Sequence, residues 1–376
     1  MLLTITIILC ILSVLLFRQI LNPFLLNGFM VLVAMVFMPP LREFMLRKDM
    51  FSYADWIILL YLLSFFLGTM AKTPKWQLMN SPPRDNRILS VVVILSILIL
   101  PVVFIKLKEY PFSMTGFREF YFESRFEGYG FFFTAGSYLL LFLILYFVHN
   151  RRYMLAIIIT PILLLFGQKT ILLALVLGLL FILESQKVIR TSTLILLMLT
   201  GLASMVALHF ALSIGVKVSP LVLAIGYFDY YDNFAYLIRS LYVNESIDHY
   251  WGRIFITDFY KVIPRFIWEG KPEIYGQVLL HAKLYPDLMK IGHTPSFFEP
   301  IAIPLADFGI LGVTIFGLFR GYLSRLLYNA YLRSGQDFTT AYLYLFSSNV
   351  FAAVFSVLLI VVDKLTFKAS GNADHR

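Results

Sequence analysis

The sequence predicts an all-α polytopic membrane protein of about 10 transmembrane helices (9–12) with one large extracytoplasmic loop. Three observations predict it. The mean hydropathy is +0.81. Hydrophobic residues make up 60% of the chain and charged residues only 14%. The apolar residues fall in runs too long for an ordinary soluble core.

The excess of 31 Lys and Arg over 22 Asp and Glu would suit a nucleic-acid binder if the chain were soluble. Here the basic residues cluster at the ends of apolar runs, where headgroup anchoring and topology account for them, so no nucleic-acid partner is expected. The single cysteine, Cys10, lies inside the first apolar run and rules out an intramolecular disulfide and a cysteine-based zinc site. No GxxxxGK[ST], HExxH or GxSxG pattern occurs. Neither a metal nor another cofactor is therefore expected.

Taken in order, the run 2–17 has no basic residues before it and no small-residue cleavage site, and reads as a retained helix rather than a cleaved signal. Further runs lie at about 20–38, 54–70, 88–105, 129–148, 153–166, 170–184, 193–213, 298–324 and 339–361. The pair 153–166 and 170–184 is short enough to be two helices meeting at a turn, and "SSN" at 347–349 is a candidate break in the last run. Together these form one integral membrane domain over 1–376, interrupted by a shorter outer loop at 106–128 and a large one at 214–297.

Sidedness follows from the basic residues beside the spans. Arg151, Arg152, Lys187, Arg190, Arg325 and Arg333 fall on one face if the spans alternate, and that face is cytoplasmic. The 214–297 loop is then outside. It carries eight Lys or Arg, eight Asp or Glu and 17 aromatic residues, which predicts a folded cap against the membrane surface rather than a disordered tail.

Within the outer segments, "GFREFYFESRFEGYG" (116–130) reads as a short helix with Arg118, Phe122 and Arg125 on one face. Lys169 sits at a Gly167-containing turn between two apolar helices, where backbone N–H groups beside a cation suit a phosphate. In "IGHTPSFFEPIAIPLADFGILG" (291–312), His293 precedes the span, Glu299 lies in its first turns and Asp307 lies deeper. Ionisable groups at such depth mark function by default. Partial burial of Glu299 is expected to strengthen it as a base. In "VIPRFIWEGKPEIYGQ" (262–277), prolines stiffen a segment that carries Arg265, Trp268 and Lys271.

The stretches "GFREFYF", "GQKT", "VIPRFIWEGKP" and "GHTPSFFEPIAIPLADFGILG", with the overall layout, resemble the Wzy-type oligosaccharide repeat-unit polymerases of bacterial O-antigen and capsule and their relatives the O-antigen ligases. The resemblance implies a multi-pass enzyme of the bacterial inner membrane with a C-type glycosyltransferase-like fold and an active site facing the periplasm. It implies undecaprenyl-pyrophosphate-linked oligosaccharides as substrates, no metal, and a chain-length regulator and a flippase as pathway partners. Arg265 and Lys271 match the family's P-R-x-x-W-x-x-K-P pattern. Lys169 stands where the ligase relatives tend to carry arginine, and supplies a point charge without the planar fork.

Displacing a pyrophosphate from an anomeric carbon needs cations for the leaving group and a base for the attacking hydroxyl. Arg118, Arg125, Lys169, Arg239, Arg265 and Lys271 are the candidate cations, with Arg265 foremost. His293 is the candidate base, and Glu299 orients the acceptor or exchanges that role with it. O-antigen ligase and lipid-linked sugar flippase or transporter are the competing readings.

Overall fold

The computed structural model describes residues 2–37, 52–74, 85–111, 120, 130–164, 166, 169–190, 192–193, 196–197, 200, 230–263, 265, 267–290, 297–347 and 352–361. Among these, every regular element is helical. In order they are α1 (Leu2–Phe17), α2 (Pro23–Val31, continued as a π-helix over Leu32–Phe37), α3 (Ser52–Met70), α4 (Asp85–Leu107), α5 (Gly130–His149), α6 (Tyr153–Leu164) and α7 (Lys169–Ser185). The large loop contributes α8 (Tyr231–Tyr242), α9 (Arg253–Asp258, drawn out as a 3-10 turn over Phe259–Val262), α10 (Val278–Leu284) and α11 (Pro286–Lys290). Then come α12 (Glu299–Arg333), α13 (Phe338–Phe346) and α14 (Ala352–Val361).

The protein is thus an all-helical membrane protein, but the expected ten spans are not what the helices show. Among the described residues four helices, α3, α4, α5 and α12, are long and apolar enough to cross a bilayer. The apolar helices α1, α6, α7 and α14 are shorter. The reasons are local. The run 20–38 is cut at its start, where Asn22 caps α2 by accepting from the Phe24 and Leu25 amides at 3.0 Å and Pro23 occupies the first helical position. The pair 153–166 and 170–184 forms two separate helices, and α13 ends at Phe346 with Ser347 in a turn, while 348–351 lie outside the described residues. Nearly all of 193–213 lies outside the described residues.

The chain forms two compact units. The first comprises Met1–Thr73, Ile195–Tyr260 and Lys271–Leu326. Its organising contact is a seam of small residues between α3 and α12. A methyl group added at Gly321 would collide with the Phe65 carbonyl oxygen, and one at Gly68 with the Leu318 carbonyl oxygen. At Gly317 it would come within 2.9 Å of the Ser64 Cβ and 3.0 Å of the Tyr61 carbonyl. Such small-xxx-small spacing lets membrane helices approach backbone to backbone, where dispersion replaces the missing hydrophobic effect.

The register of this seam sets direction. Gly317 meets Tyr61 and Ser64, and Gly321 meets Phe65 and Gly68, so α3 and this part of α12 run parallel. Counting back eight residues brings Gly309 level with the N-terminal end of α3. At that end the Tyr231 hydroxyl of α8 donates to Asp55 at 2.9 Å. The opposite end carries Arg325, whose guanidinium lies 4.5 Å from the Phe17 ring centroid at the end of α1. The loop helices therefore sit at the end of the unit away from Arg325.

The second unit comprises Pro74–Leu194, Lys261–Gly270 and Leu327–Arg376. Here α5 is the hub, buried continuously from Leu139 to Val148. Phe142 packs edge-on against Phe338 and Tyr342 at 4.9 Å and Phe355 at 5.3 Å. Asp337 caps α13 by accepting from the Thr340 amide at 2.8 Å. On α4, Val93, Ile94, Ile97, Leu98 and Ile105 are exposed, an apolar face suited to lipid.

The seam predicts that Gly321→Ala lowers stability by about 1–3 kcal/mol, because the added methyl group has only backbone to push against. Gly270→Ala, whose methyl group would meet only the Trp268 indole nitrogen at 3.9 Å, should change stability by no more than about 0.5 kcal/mol. Thermal melting of both variants in detergent checks the contrast.

Candidate functional site

The feature that sequence reasoning took as a plain span, 298–324, is a broken helix. Gly309 has φ 66° and ψ −155°, non-helical values inside α12 that are almost confined to glycine. A methyl group at Gly312 would collide with the Pro304 carbonyl oxygen, yet eight residues of continuous helix would put these positions about 12 Å apart. The chain therefore folds back on itself at Gly309. Pro304 assists by lacking the N–H that a continuous helix would use. One limb, 299–308, is too short to span; the other, 310–333, is long enough.

Folding a helix open leaves its carbonyls and amides without their usual partners, and the cap supplies replacements. The Tyr250 amide donates to the Ala306 carbonyl and the Trp251 amide to the Asp307 carbonyl, each at 3.0 Å. The Ile310 amide meets the Tyr242 hydroxyl. In return, the fully buried Asp307 carboxylate accepts from the Ile254 amide at 3.1 Å and the Phe255 amide at 2.8 Å, with the Gly252 amide also directed at it. Asp307 thus caps α9. The close approach is possible because Gly252 adopts φ 86° and lacks a side chain where Phe308 passes. The first limb is surrounded by protein: Ile301, Ala302, Ile303, Leu305 and Ala306 are all buried.

His249 lies in this clasp. Its Nδ1 is 3.2 Å from the Ala306 carbonyl oxygen. A carbonyl can only accept, so Nδ1 carries the proton in this contact. Nε2 lies 3.4 Å from where a Gly309 Cβ would be. Burial raises the hydroxyl pKa values of Tyr242 and Tyr250, the latter against the opposing pull of Arg253. Tyr285 is pushed up to about 12 by burial and then by Tyr236 and Asp232, and its hydroxyl donates to Asn233 at 2.8 Å. These phenols are neutral donors at ordinary pH.

The residues expected from sequence are distributed as follows. His293, Arg118 and Arg125 lie outside the described residues. Lys169 opens α7 in the second unit, which also contains the half-buried Arg265. Lys271, Arg239 and Glu299 belong to the first unit. The P-R-x-x-W-x-x-K-P segment is therefore divided, with Arg265 and Trp268 in one unit and Lys271 in the other. Lys271 is buried, its ammonium 4.8 Å from the centroid of the Tyr275 ring. Arg239 is exposed near the C-terminal end of α8.

Glu299 corrects an expectation. It is exposed, because α12 begins with it while the preceding Phe297 and Phe298 turn inward. The burial that was to strengthen it as a base is missing. Burial raises the phenol of Tyr230, just before α8, and the charge of the nearby Glu299 adds to it. Arg239 is nine residues further along, about 14 Å on a helix, so the two mark different ends of α8. Among the described residues no group of three His, Cys, Asp or Glu side chains could hold a metal ion.

The sequence matches no protein-family model, no curated protein and no solved structure. The clasp around Gly309 therefore stands on its own geometry.

That geometry predicts that Asp307→Ala strands buried amides at the start of α9, with a loss of about 1–3 kcal/mol for an unsatisfied group. Asp307→Asn, which keeps one acceptor oxygen, should lose less. Hydrogen exchange at residues 252–255 should accelerate in the same order. Uniform exchange across wild type and both variants would mean that the carboxylate does not hold the cap.

Proposed function

We propose that the protein polymerises undecaprenyl-pyrophosphate-linked oligosaccharide repeat units into a surface polysaccharide at the outer face of the bacterial cytoplasmic membrane. The observation that carries this reading is the folded, aromatic-rich cap clasped to a broken helix at one end of the first unit. A substrate with its lipid in the bilayer and its sugars in water needs protein surface at that boundary. The clasp offers such a surface, with the imidazole of His249 beside it. Arg325, at the opposite end of the unit, supports an outward-facing cap under the positive-inside rule. A C-type glycosyltransferase-like fold is part of the proposal, which rests on an all-helical membrane protein with a cap.

In this reaction an acceptor hydroxyl oxygen bonds to the anomeric carbon of the donor while the bond from that carbon to the pyrophosphate oxygen breaks. The pyrophosphate leaves on its lipid. The cation pool led by Arg265 and Lys169 counters the charge that builds there, and the hydroxyl proton passes to an imidazole, His293 in the sequence reading. A chain-length regulator and a flippase would act with it.

Two observations favour other readings. His293 stands where ligases carry a histidine, and broken helices are a transporter feature. Transporter breaks, however, lie near the midplane and present half-helix ends to substrate, whereas Gly309 lies level with the end of α3 and its neighbouring backbone groups are taken by the cap.

Deleting the gene separates the readings on one gel. Loss of the polymerase leaves a single repeat on the acceptor lipid, while loss of a ligase leaves polymer on the undecaprenyl carrier. Complementation with Arg265→Ala should reproduce the deletion pattern at wild-type protein level. His293→Ala should lose about 10²–10⁴ in rate. A normal ladder from the Arg265→Ala protein would remove that residue from the leaving-group site.

A further inference from the structure

The cap presents two kinds of surface. Before the clasp, the exposed side chains include Asn244, Glu245, Ser246 and Asp248; on α10 and α11 they include Lys283 and Asp287. All of these suit water. After His249 the character changes. Trp251 is 78% exposed, Ile256 63%, Phe259 52% and Phe255 41%. An isolated exposed apolar residue needs no explanation, but four within nine residues form a patch that a soluble surface would not carry.

This patch is not separate from the membrane part of the molecule. The Phe255 ring packs edge-on against Phe316 of α12 at 5.8 Å and against Phe259 at 5.9 Å. Gly252 lies against Phe308, with Ile256 beside it. On α12, Phe308, Ile310, Leu311, Ile315 and Phe319 are themselves exposed, Leu311 by 68%. The apolar outward face of α12, whose helix Glu299–Arg333 is long and apolar enough to cross a membrane, therefore continues through Phe316 and Phe308 onto α9. Arg253 is exposed at the start of α9, between Trp251 and Ile256.

We propose that α9 and the following 3-10 turn are a bilayer-inserted wedge. Ile256, Phe255 and Phe259 enter the acyl boundary, Trp251 lies at headgroup level, and Arg253 faces lipid phosphate. The occupant of the patch is bilayer lipid because the patch extends the lipid-facing surface of a span. The order of side chains after His249 also matches an interface: tryptophan first, then a cation whose stem can snorkel, then aliphatic and aromatic residues. Interfacial elements of this kind bury their apolar face about 5–10 Å into the headgroup and acyl boundary. Lipid then covers one side of α9 while Asp307 holds its other side, so the break at Gly309 sits at the depth where water gives way to hydrocarbon. The wedge does not depend on the polymerase reading.

The test uses the full-length protein in lipid nanodiscs, with Cys10 replaced by Ala and a single cysteine at Ile256 or, for comparison, at Asn244, each carrying an environment-sensitive fluorophore. The label at 256 should be quenched several-fold more by spin-labelled lipid than the label at 244, and several-fold less by aqueous iodide. Equal iodide quenching at both positions would overturn the proposal. Shielding of 256 from both quenchers, as burial against a second copy would give, would overturn it equally. Native Trp251 gives a second readout: in the Trp56→Phe, Trp76→Phe, Trp268→Phe background its emission should be quenched by brominated lipid, and quenching by iodide alone would contradict the wedge.

Discussion

A membrane offers no water to a backbone amide or carbonyl, so every such group within it must find its partner in the protein. The first unit depends on how this constraint is met at Gly309. Opening a helix there removes intrahelical bonds, and the chain between His249 and Phe255 replaces them, with Tyr250 and Trp251 as donors and Asp307 returning acceptors to α9. Neither partner is complete alone. Without the cap, the limb 299–308 would end in bare carbonyls; without Asp307, a helix of six residues would start unsupported in an apolar setting.

This mutual completion explains the arrangement around it. The seam of Gly68, Gly317 and Gly321 brings α3 against the longer limb in parallel, and that register brings the break to the same end of α3 as Asp55. Tyr231 bonds Asp55 there, so α8 and α9 are fastened to the membrane helices at two separate points. A cap held twice is a firm platform at the membrane boundary. His249 and Tyr250 are held in the clasp, and the Tyr242 hydroxyl meets the Ile310 backbone beside the break.

Much of this architecture is legible in the sequence, and what is not has identifiable causes. Helix class follows from hydropathy, and the folded cap from its density of aromatic residues. The break was hidden because a hydropathy window across 298–324 averages Asp307 and Gly309 into their apolar neighbours; Pro304 followed by "DFG" was the local sign. The seam was hidden because "GLFRG" resembles any apolar stretch until its two glycines are set four residues apart on a helix. Asp307 could be recognised as an ionisable group at depth, but its partners lie more than fifty residues earlier in the chain, beyond the reach of local pattern. Glu299 is misjudged by position alone, since depth along the run does not say which way a side chain faces, and here Phe297 and Phe298 turn inward while Glu299 faces out. His249 was passed over because "DHYWGR" has no helical or catalytic periodicity to mark it.

The central claim is that α12 is two limbs folded at Gly309. Double electron–electron resonance between nitroxides at Glu299 and Phe319, in a Cys10→Ala background and in nanodiscs, measures it most directly. An unbroken helix would hold these positions about 30 Å apart. The fold described here predicts a distribution centred well below that value, lengthening and broadening when Asp307→Ala releases the clasp. A narrow distribution at about 30 Å would contradict it.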